Sequence, residues 1–338
     1  MKKGKISIIG SGTWGTAIAN MMANAGRDVV LYSRFEKESN SLKETLTHPH
    51  LKGCVLSNKI YFTSSVDDAT TDSEIVVIAT PSPYVREVTA SLKPYLNNKQ
   101  IIVTVSKGIE DDTLFTMSEI IHDVLGNDYK VVALSGPTHA EEVSIGLPSL
   151  IVSACEDEEI AKYVQEVFYN GALRVYTNTD IKGVELCGAL KNIIALAAGM
   201  SDGLGYGDNA KAAIVTRGLN EMVILGKAMG CNPKTFYGLT GIGDIVVTAT
   251  STHSRNHNAG YLIGQGKTLD ETLEEIGMVV EGVNALKAAK KLEIKYGVEL
   301  PIIDIVYDIL MNGVDVKTAI VSLFSRAKKS EIYIFRQK

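Results

Sequence analysis

The sequence predicts an α/β fold: an N-terminal, doubly wound parallel sheet of Rossmann type, followed by an all-α C-terminal domain. Three observations carry this reading. Short Val/Ile-rich runs alternate with helical stretches through roughly the first half of the chain. A glycine-rich hexapeptide, Gly10-Ser11-Gly12-Thr13-Trp14-Gly15, joins the first such run to the first helix. Beyond about residue 180 the strand-like runs stop, and long Ala/Leu/Ile-rich stretches take over.

The elements follow in order. Candidate strands are Ile6–Ile9, Val29–Tyr32, Ile75–Ala79, Ile101–Val105, Val131–Leu134, Leu150–Ser153 and Arg174–Tyr176. Their apolar character on both faces suits a parallel sheet covered by helices. Helical candidates between them include Trp14–Ala25, Tyr84–Leu92 and Leu114–Leu125. In the second half, Ile181–Met200 and Ala210–Met229 read as long helices, the latter stopped by Gly230. Asn232-Pro233 reads as a helix cap followed by proline at the first helical position. The chain of 338 residues thus divides into a dinucleotide-binding domain over 1–183 and a helical substrate-binding domain over 184–338. Ile332–Lys338 reads as a tail without an assigned role.

Composition narrows the function. With 34 Lys+Arg against 39 Asp+Glu the chain carries a formal charge of −5. A mildly acidic protein is a poor general binder of nucleic acid, so any anion site must be a local cluster. No apolar run approaches the roughly 18 residues of a membrane span, and the basic start Met1-Lys2-Lys3 precedes too short an apolar stretch for a signal peptide. Cys54, Cys155, Cys187 and Cys231 are widely spaced and read as reduced core thiols of a cytoplasmic protein. The six histidines lack metal-binding spacing, so no metal is expected.

The hexapeptide matches GxGxxG in the context the pattern requires, between a strand and a helix and ahead of a second strand. Gly10 permits the tight turn, Gly12 lets the backbone approach a pyrophosphate, and Gly15 lets helix and strand pack closely. The helix start adds free N–H groups and a positive dipole end. After the second strand stand Ser33 and Arg34 rather than an acidic residue. A hydroxyl and a guanidinium suit a 2′-phosphate, so NADP(H) is expected to be preferred and NAD(H) possible, with Glu36 nearby as a competing carboxylate.

Ligands of open α/β sheets bind beyond the carboxyl ends of the strands. Three such ends carry distinctive residues: Thr80-Pro81-Ser82, Ser106-Lys107-Gly108 and Gly136-Pro137-Thr138-His139-Ala140-Glu141. Thr138 and Glu141 also form a capping-box pattern. Within Val184–Met200 the polar side chains are Glu185, Lys191 and Asn192. A lysine on such a stretch either snorkels or lines a pocket, where desolvation would lower its pKa toward neutrality and suit it to proton transfer. Asp244 and Thr248 lie four apart, hence on one helical face. Ser254-Arg255-Asn256 opens another helix, with Ser254 as cap and Arg255 completing a dianion site.

These residues together resemble the bacterial NAD(P)-dependent glycerol-3-phosphate dehydrogenases. The match runs from Ile8 to about Arg326, through GSGTWGTA (10–17), SKGIE (106–110), SGPTHAEEV (135–143), GALKNIIALAAG (188–199), GIGDIVVTATSTHSRN (241–256) and VVEGV (279–283). The resemblance implies reversible hydride transfer between NAD(P)H and dihydroxyacetone phosphate, giving sn-glycerol 3-phosphate for glycerophospholipid synthesis. It implies Lys191 as general acid/base with Asp244 beside it as the catalytic pair. Lys107, Gly136, Thr138, Asn192, Thr248, Ser254, Arg255 and Asn256 join them as substrate contacts, with Asn192 and Thr248 along the carbonyl. Gly10, Gly12, Thr13, Trp14, Gly15, Arg34, Lys107, Ala140, Arg255, Val279 and Glu281 are implied as cofactor contacts. It also implies a homodimer. The stretch Thr47–Gly53 departs from the family's Asn…Tyr-Leu-Pro-Gly pattern. Two other readings stand beside this one: a related two-domain dehydrogenase of hydroxy or sugar acids, and an inactive NADP(H)-binding sensor. The first would have no use for a dianion clamp, and the second requires loss of Lys191 or Asp244.

Overall fold

The computed structural model describes residues 4–328 and 330–331; the Ile332–Lys338 tail lies outside the described residues. Eight strands form one sheet: β1 (Lys5–Ile9), β2 (Val29–Tyr32), β3 (Ile60–Thr63), β4 (Ser73–Ile78), β5 (Ile101–Thr104), β6 (Lys130–Ser135), β7 (Ser149–Ala154) and β8 (Leu173–Asn178). Their order is β3-β2-β1-β4-β5-β6-β7-β8. The chain reverses its direction of strand addition between β1 and β4, which opens a crevice above their carboxyl ends. Val and Ile from both faces of β1, β4 and β5 are almost fully buried, as a sheet covered on both sides demands.

Two expectations are corrected. The sheet is not wholly parallel: β7 runs antiparallel to β6, and β8 runs parallel to β7. Between β6 and β7 the short helix Ala140–Ser144 packs on the Thr13–Asn24 helix, so the chain returns from the carboxyl end of β6 without crossing the sheet. β3 is not among the candidate strands: this edge strand, Ile60-Tyr61-Phe62-Thr63, has one exposed position and lacks the Val/Ile run that marks the inner strands.

The second half is helical throughout the described residues. Its organising element is the helix Ile181–Gly203, capped by Asp180, whose Oδ1 accepts the Gly183 N–H at 3.0 Å. The expectation that no apolar stretch reaches membrane-span length needs correction here. This helix is long and apolar enough, at a mean hydropathy of 1.3, yet the whole of that window is buried inside the protein. It is a core helix. Ile181 and Val184 pack on Ala133 and Ala154 of the sheet, and a turn further on Gly188 lies against Ser135 and the Lys107 stem. The helix Arg255–Gly264 crosses it at backbone contact distance: a Cβ on Gly260 would stand 2.1 Å from the Leu196 carbonyl, and one on Gly199 2.0 Å from that of His257. All four cysteines are free and buried.

Between the halves, buried Glu185 accepts the Ser118 N–H at 2.8 Å, and Ser118 Oγ donates to its other oxygen. Glu281 accepts from Ser82 N at 3.2 Å and from Ser82 Oγ at 2.6 Å. The backbone contact at Gly260 yields the first prediction. Gly260→Ala is expected to cost about 1–3 kcal/mol of stability, read as a lower urea midpoint. An unchanged midpoint would show that the two helices separate freely.

Candidate active site

The dinucleotide turn has the geometry its glycines imply. Gly10 sits at φ +117°, and a Cβ there would meet the Ala79 carbonyl at 2.7 Å. A Cβ on Gly15 would stand 2.1 Å from the Gly10 carbonyl, whereas one on Gly12 would point into open space. No side chain caps the Thr13–Asn24 helix, so the N–H groups of its first turn remain available to an anion. Trp14 packs against the sheet's core. Thr80, just after β4, has a buried hydroxyl without a hydrogen-bond partner among the described residues. An open approach over Gly12, free helix-start donors and an orphan hydroxyl at the switch point together fit a dinucleotide.

Across the crevice, three charged side chains converge. Lys191 is buried, at 7% exposure, rather than snorkelling to solvent. Its Nζ donates to Asp244 Oδ1 and, at 2.8 Å, to Thr248 Oγ1. Lys107, just beyond β5, donates from Nζ to the other Asp244 oxygen at 2.7 Å and to the Gly136 carbonyl at 3.1 Å. Asp244 and Thr248 share a helix, Asp244–Thr250, entered through one wide π-type turn, Leu239–Gly243. Thr248 Oγ1 also donates back to the Asp244 carbonyl at 2.6 Å, so one face of this helix presents both groups to Lys191.

Burial sets the electrostatics. Desolvation drives the Lys191 ammonium down to about 7; Asp244 pulls against this, and the positive charge of Lys107 adds to it. Burial alone would raise the Asp244 carboxyl, but the two ammoniums outweigh it and hold it below its ordinary value. The result is an amine able to gain or lose a proton near neutrality beside a carboxylate that stays ionised.

Asn192, next along the helix, has its Oδ1 3.0 Å from the Asn256 amide nitrogen, which donates to it; Asn256 Oδ1 accepts the Gly282 N–H at 2.8 Å. Ser254 caps the Arg255–Gly264 helix by accepting from His257 N at 3.2 Å. Arg255 is exposed and donates to the Val279 carbonyl at 3.1 Å. Thr138 departs from its expected capping box: His139 is the cap residue, and the Thr138 hydroxyl donates to the Gly136 carbonyl at 3.2 Å. The helix starts one residue too late for the box. Ala140 is the first residue of that helix. Arg34 lies at the surface, 3.4 Å from Glu87.

The structure thus joins Lys107, Gly136, Thr138, Lys191, Asp244 and Thr248 into one hydrogen-bonded group, and Asn192, Asn256 and the start of the Glu281–Tyr296 helix into a second. Sequence reasoning missed Glu38, which the turn itself binds through Ser11; its position on the Glu36–Thr45 helix carries no motif. No group of three or more potential metal ligands occurs among the described residues.

Comparison with known proteins agrees with this geometry. Two family models match, the NAD-dependent glycerol-3-phosphate dehydrogenase N-terminus over residues 5–161 and its C-terminus over residues 180–321. The chain is 50% identical over 333 residues to a Lactobacillus delbrueckii subsp. bulgaricus protein named glycerol-3-phosphate dehydrogenase (NAD(P)+) 2, covering 97% of this chain and 99% of that one. It is 46% identical over 334 residues to the Bacillus subtilis glycerol-3-phosphate dehydrogenase (NAD(P)+), covering 97% and 96%. The crystal structure of glycerol-3-phosphate dehydrogenase from Coxiella burnetii superposes with a TM-score of 0.92 at 32% identity, over 96% of this chain and all of that one. The chain is an NAD(P)-dependent oxidoreductase and belongs to the NAD-dependent glycerol-3-phosphate dehydrogenase family.

Proposed function

We propose that the chain interconverts dihydroxyacetone phosphate and sn-glycerol 3-phosphate in the cytoplasm, supplying the phosphorylated alcohol for glycerophospholipid synthesis. The observation that carries this reading is the buried Lys191–Asp244 pair joined by Lys107 at the crevice, together with an uncapped helix start after the glycine-rich turn and an exposed Arg255. The nicotinamide, when bound, supplies or accepts the hydride at carbon 2. Lys191 holds the proton at the substrate's C2 oxygen, giving it up during reduction and taking it back during oxidation. Asp244 keeps that ammonium oriented, and Thr248 and Asn192 line the carbonyl.

Lys107, Gly136 and Thr138 contact the substrate, with Lys107 reaching the cofactor as well. Ser254, Arg255 and Asn256 hold the phosphate, Arg255 being shared with the cofactor. Gly10, Gly12, Thr13, Trp14, Gly15, Arg34, Ala140, Val279 and Glu281 complete the cofactor's contacts, and Arg34 favours NADP(H) over NAD(H). Residues 1–183 form the dinucleotide-binding domain and 184–338 the substrate domain; the helix carrying Lys191 begins at Ile181, so this division falls in its first turn. The family resemblance supports a homodimer.

The direct test is oxidation of NADPH or NADH followed at 340 nm with dihydroxyacetone phosphate; absence of turnover with either cofactor overturns the reading. Lys191→Ala is expected to lower kcat by about 10²–10⁴-fold, the range for a positioned acid/base, while NADPH binding stays near that of the unmodified chain. Near-normal kcat would remove Lys191 from the chemistry. Reduction needs protonated Lys191 and oxidation needs the neutral amine. With its ammonium held near 7, kcat/KM for reduction should fall, and that for oxidation rise, as pH increases through about 7. Parallel profiles in the two directions would contradict the assignment. Arg255→Ala should raise KM for the phosphorylated ketone about tenfold or more, with a smaller change in kcat. An unchanged KM would place the phosphate elsewhere.

A further inference from the structure

The carboxylate beside the dinucleotide turn is not the one nearest the strand. Glu36 is exposed, whereas the half-buried Glu38 is tied back to the turn. Ser11 Oγ donates to Glu38 Oε2 at 2.8 Å, and Ser33 Oγ donates to the same oxygen. Ser11 stands between the first two glycines of the turn, and Ser33 follows β2 directly. Both serines are almost fully buried.

His48 fixes this cluster from behind. It lies in the loop that departs from the family pattern, and it is buried. Its Nδ1 accepts the His50 N–H at 3.2 Å, so its proton sits on Nε2, which donates to the Ser11 carbonyl at 3.2 Å. Burial, and then the neighbouring His50, lower the His48 pKa and keep the ring neutral, in keeping with that tautomer. The turn is therefore held through both the carbonyl and the hydroxyl of Ser11.

Both serine hydroxyls use Glu38 Oε2, and Oε1 accepts no bond among the described residues. A carboxylate with one oxygen clamped and the other open lies where a strand–turn–helix–strand unit receives the adenosine ribose. We propose that Glu38 is a specificity-determining residue for the adenosine half of the cofactor. Oε1 accepts a hydrogen bond from the ribose 2′-hydroxyl, and the carboxylate's charge opposes a 2′-phosphate. Arg34 works in the other direction. Its side chain is 65% exposed, and its pairing with Glu87 at 3.4 Å is a loose surface contact that a phosphate displaces. The two groups set the balance between NADP(H) and NAD(H) against each other. This inference rests on the dinucleotide reading of the turn and identifies the group that limits the preference for NADP(H).

The test measures binding without turnover. The chain's single tryptophan, Trp14, lies in the same turn and reports titrations with 2′,5′-ADP and 5′-AMP by its fluorescence. In Glu38→Gln, affinity for 2′,5′-ADP relative to 5′-AMP should rise about tenfold, because a like-charge opposition is removed; in Arg34→Ala it should fall by a similar factor. Glu38→Asp, which withdraws the charge by one methylene, should shift the ratio the same way by less, and it carries the test if Glu38→Gln does not fold. A ratio unchanged within about twofold in the Glu38 variants overturns the proposal, as does equal weakening of both ligands, which would make Glu38 a prop for the turn. If the unmodified chain binds neither fragment by calorimetry, the dinucleotide reading itself fails, and the proposal fails with it.

Discussion

A single carboxylate, buried between two ammonium groups, is the constraint on which the rest of the structure depends. Asp244 is 1% exposed and meets Lys191 through one oxygen and Lys107 through the other. Ions this deep are tolerable only when their partners are in place, because removing one partner leaves an uncompensated charge in low dielectric. The three side chains come from the loop after β5, the core helix and the helix after the π-type turn. Forming the charge group therefore requires the sheet and the helices to be docked. Burial holds the Lys191 ammonium down near 7; Asp244 opposes the shift and Lys107 adds to it.

The sheet's reversal makes that docking possible. Because β7 and β8 run back, the chain leaves β8 at the end of the sheet opposite the crevice. The Ile181–Gly203 helix then climbs along β6, passing Ala133 before Ser135, and delivers Gly188 and Lys191 to the carboxyl-end rim. A final parallel strand would have released the helix at the crevice and carried it away from the sheet. The absence of a side chain at Gly188 lets the Lys107 stem pass the helix and reach Asp244.

Much of this was legible in the residues, for identifiable reasons. Alternating buried Val/Ile runs and the GxGxxG turn are local patterns, and seven of the eight strands showed themselves that way. Lys191 stands out because it is the one cation within the apolar stretch Val184–Met200, and Asp244 and Thr248 stand out through their four-residue spacing. The antiparallel β7 was hidden because strand direction is set by where the connecting chain travels, which side-chain periodicity does not record. The Thr138 capping pattern misled because the same four residues fit a box one position earlier than the helix begins. Glu38 was invisible because its importance comes from two serines, 27 and 5 positions away, that the turn brings to it.

The backbone contact between the core helix and the Arg255–Gly264 helix has a further consequence. Lys191 rides on one helix, Arg255 and Asn256 on the other, and main chain touches main chain at Gly199 and Gly260. The span from Lys191 to Arg255 and Asn256 is thus set by main-chain contact rather than by compressible side chains. In the reaction we propose, the pair of helices acts as a molecular caliper, gauging the distance between the oxygen at one jaw and the phosphate at the other.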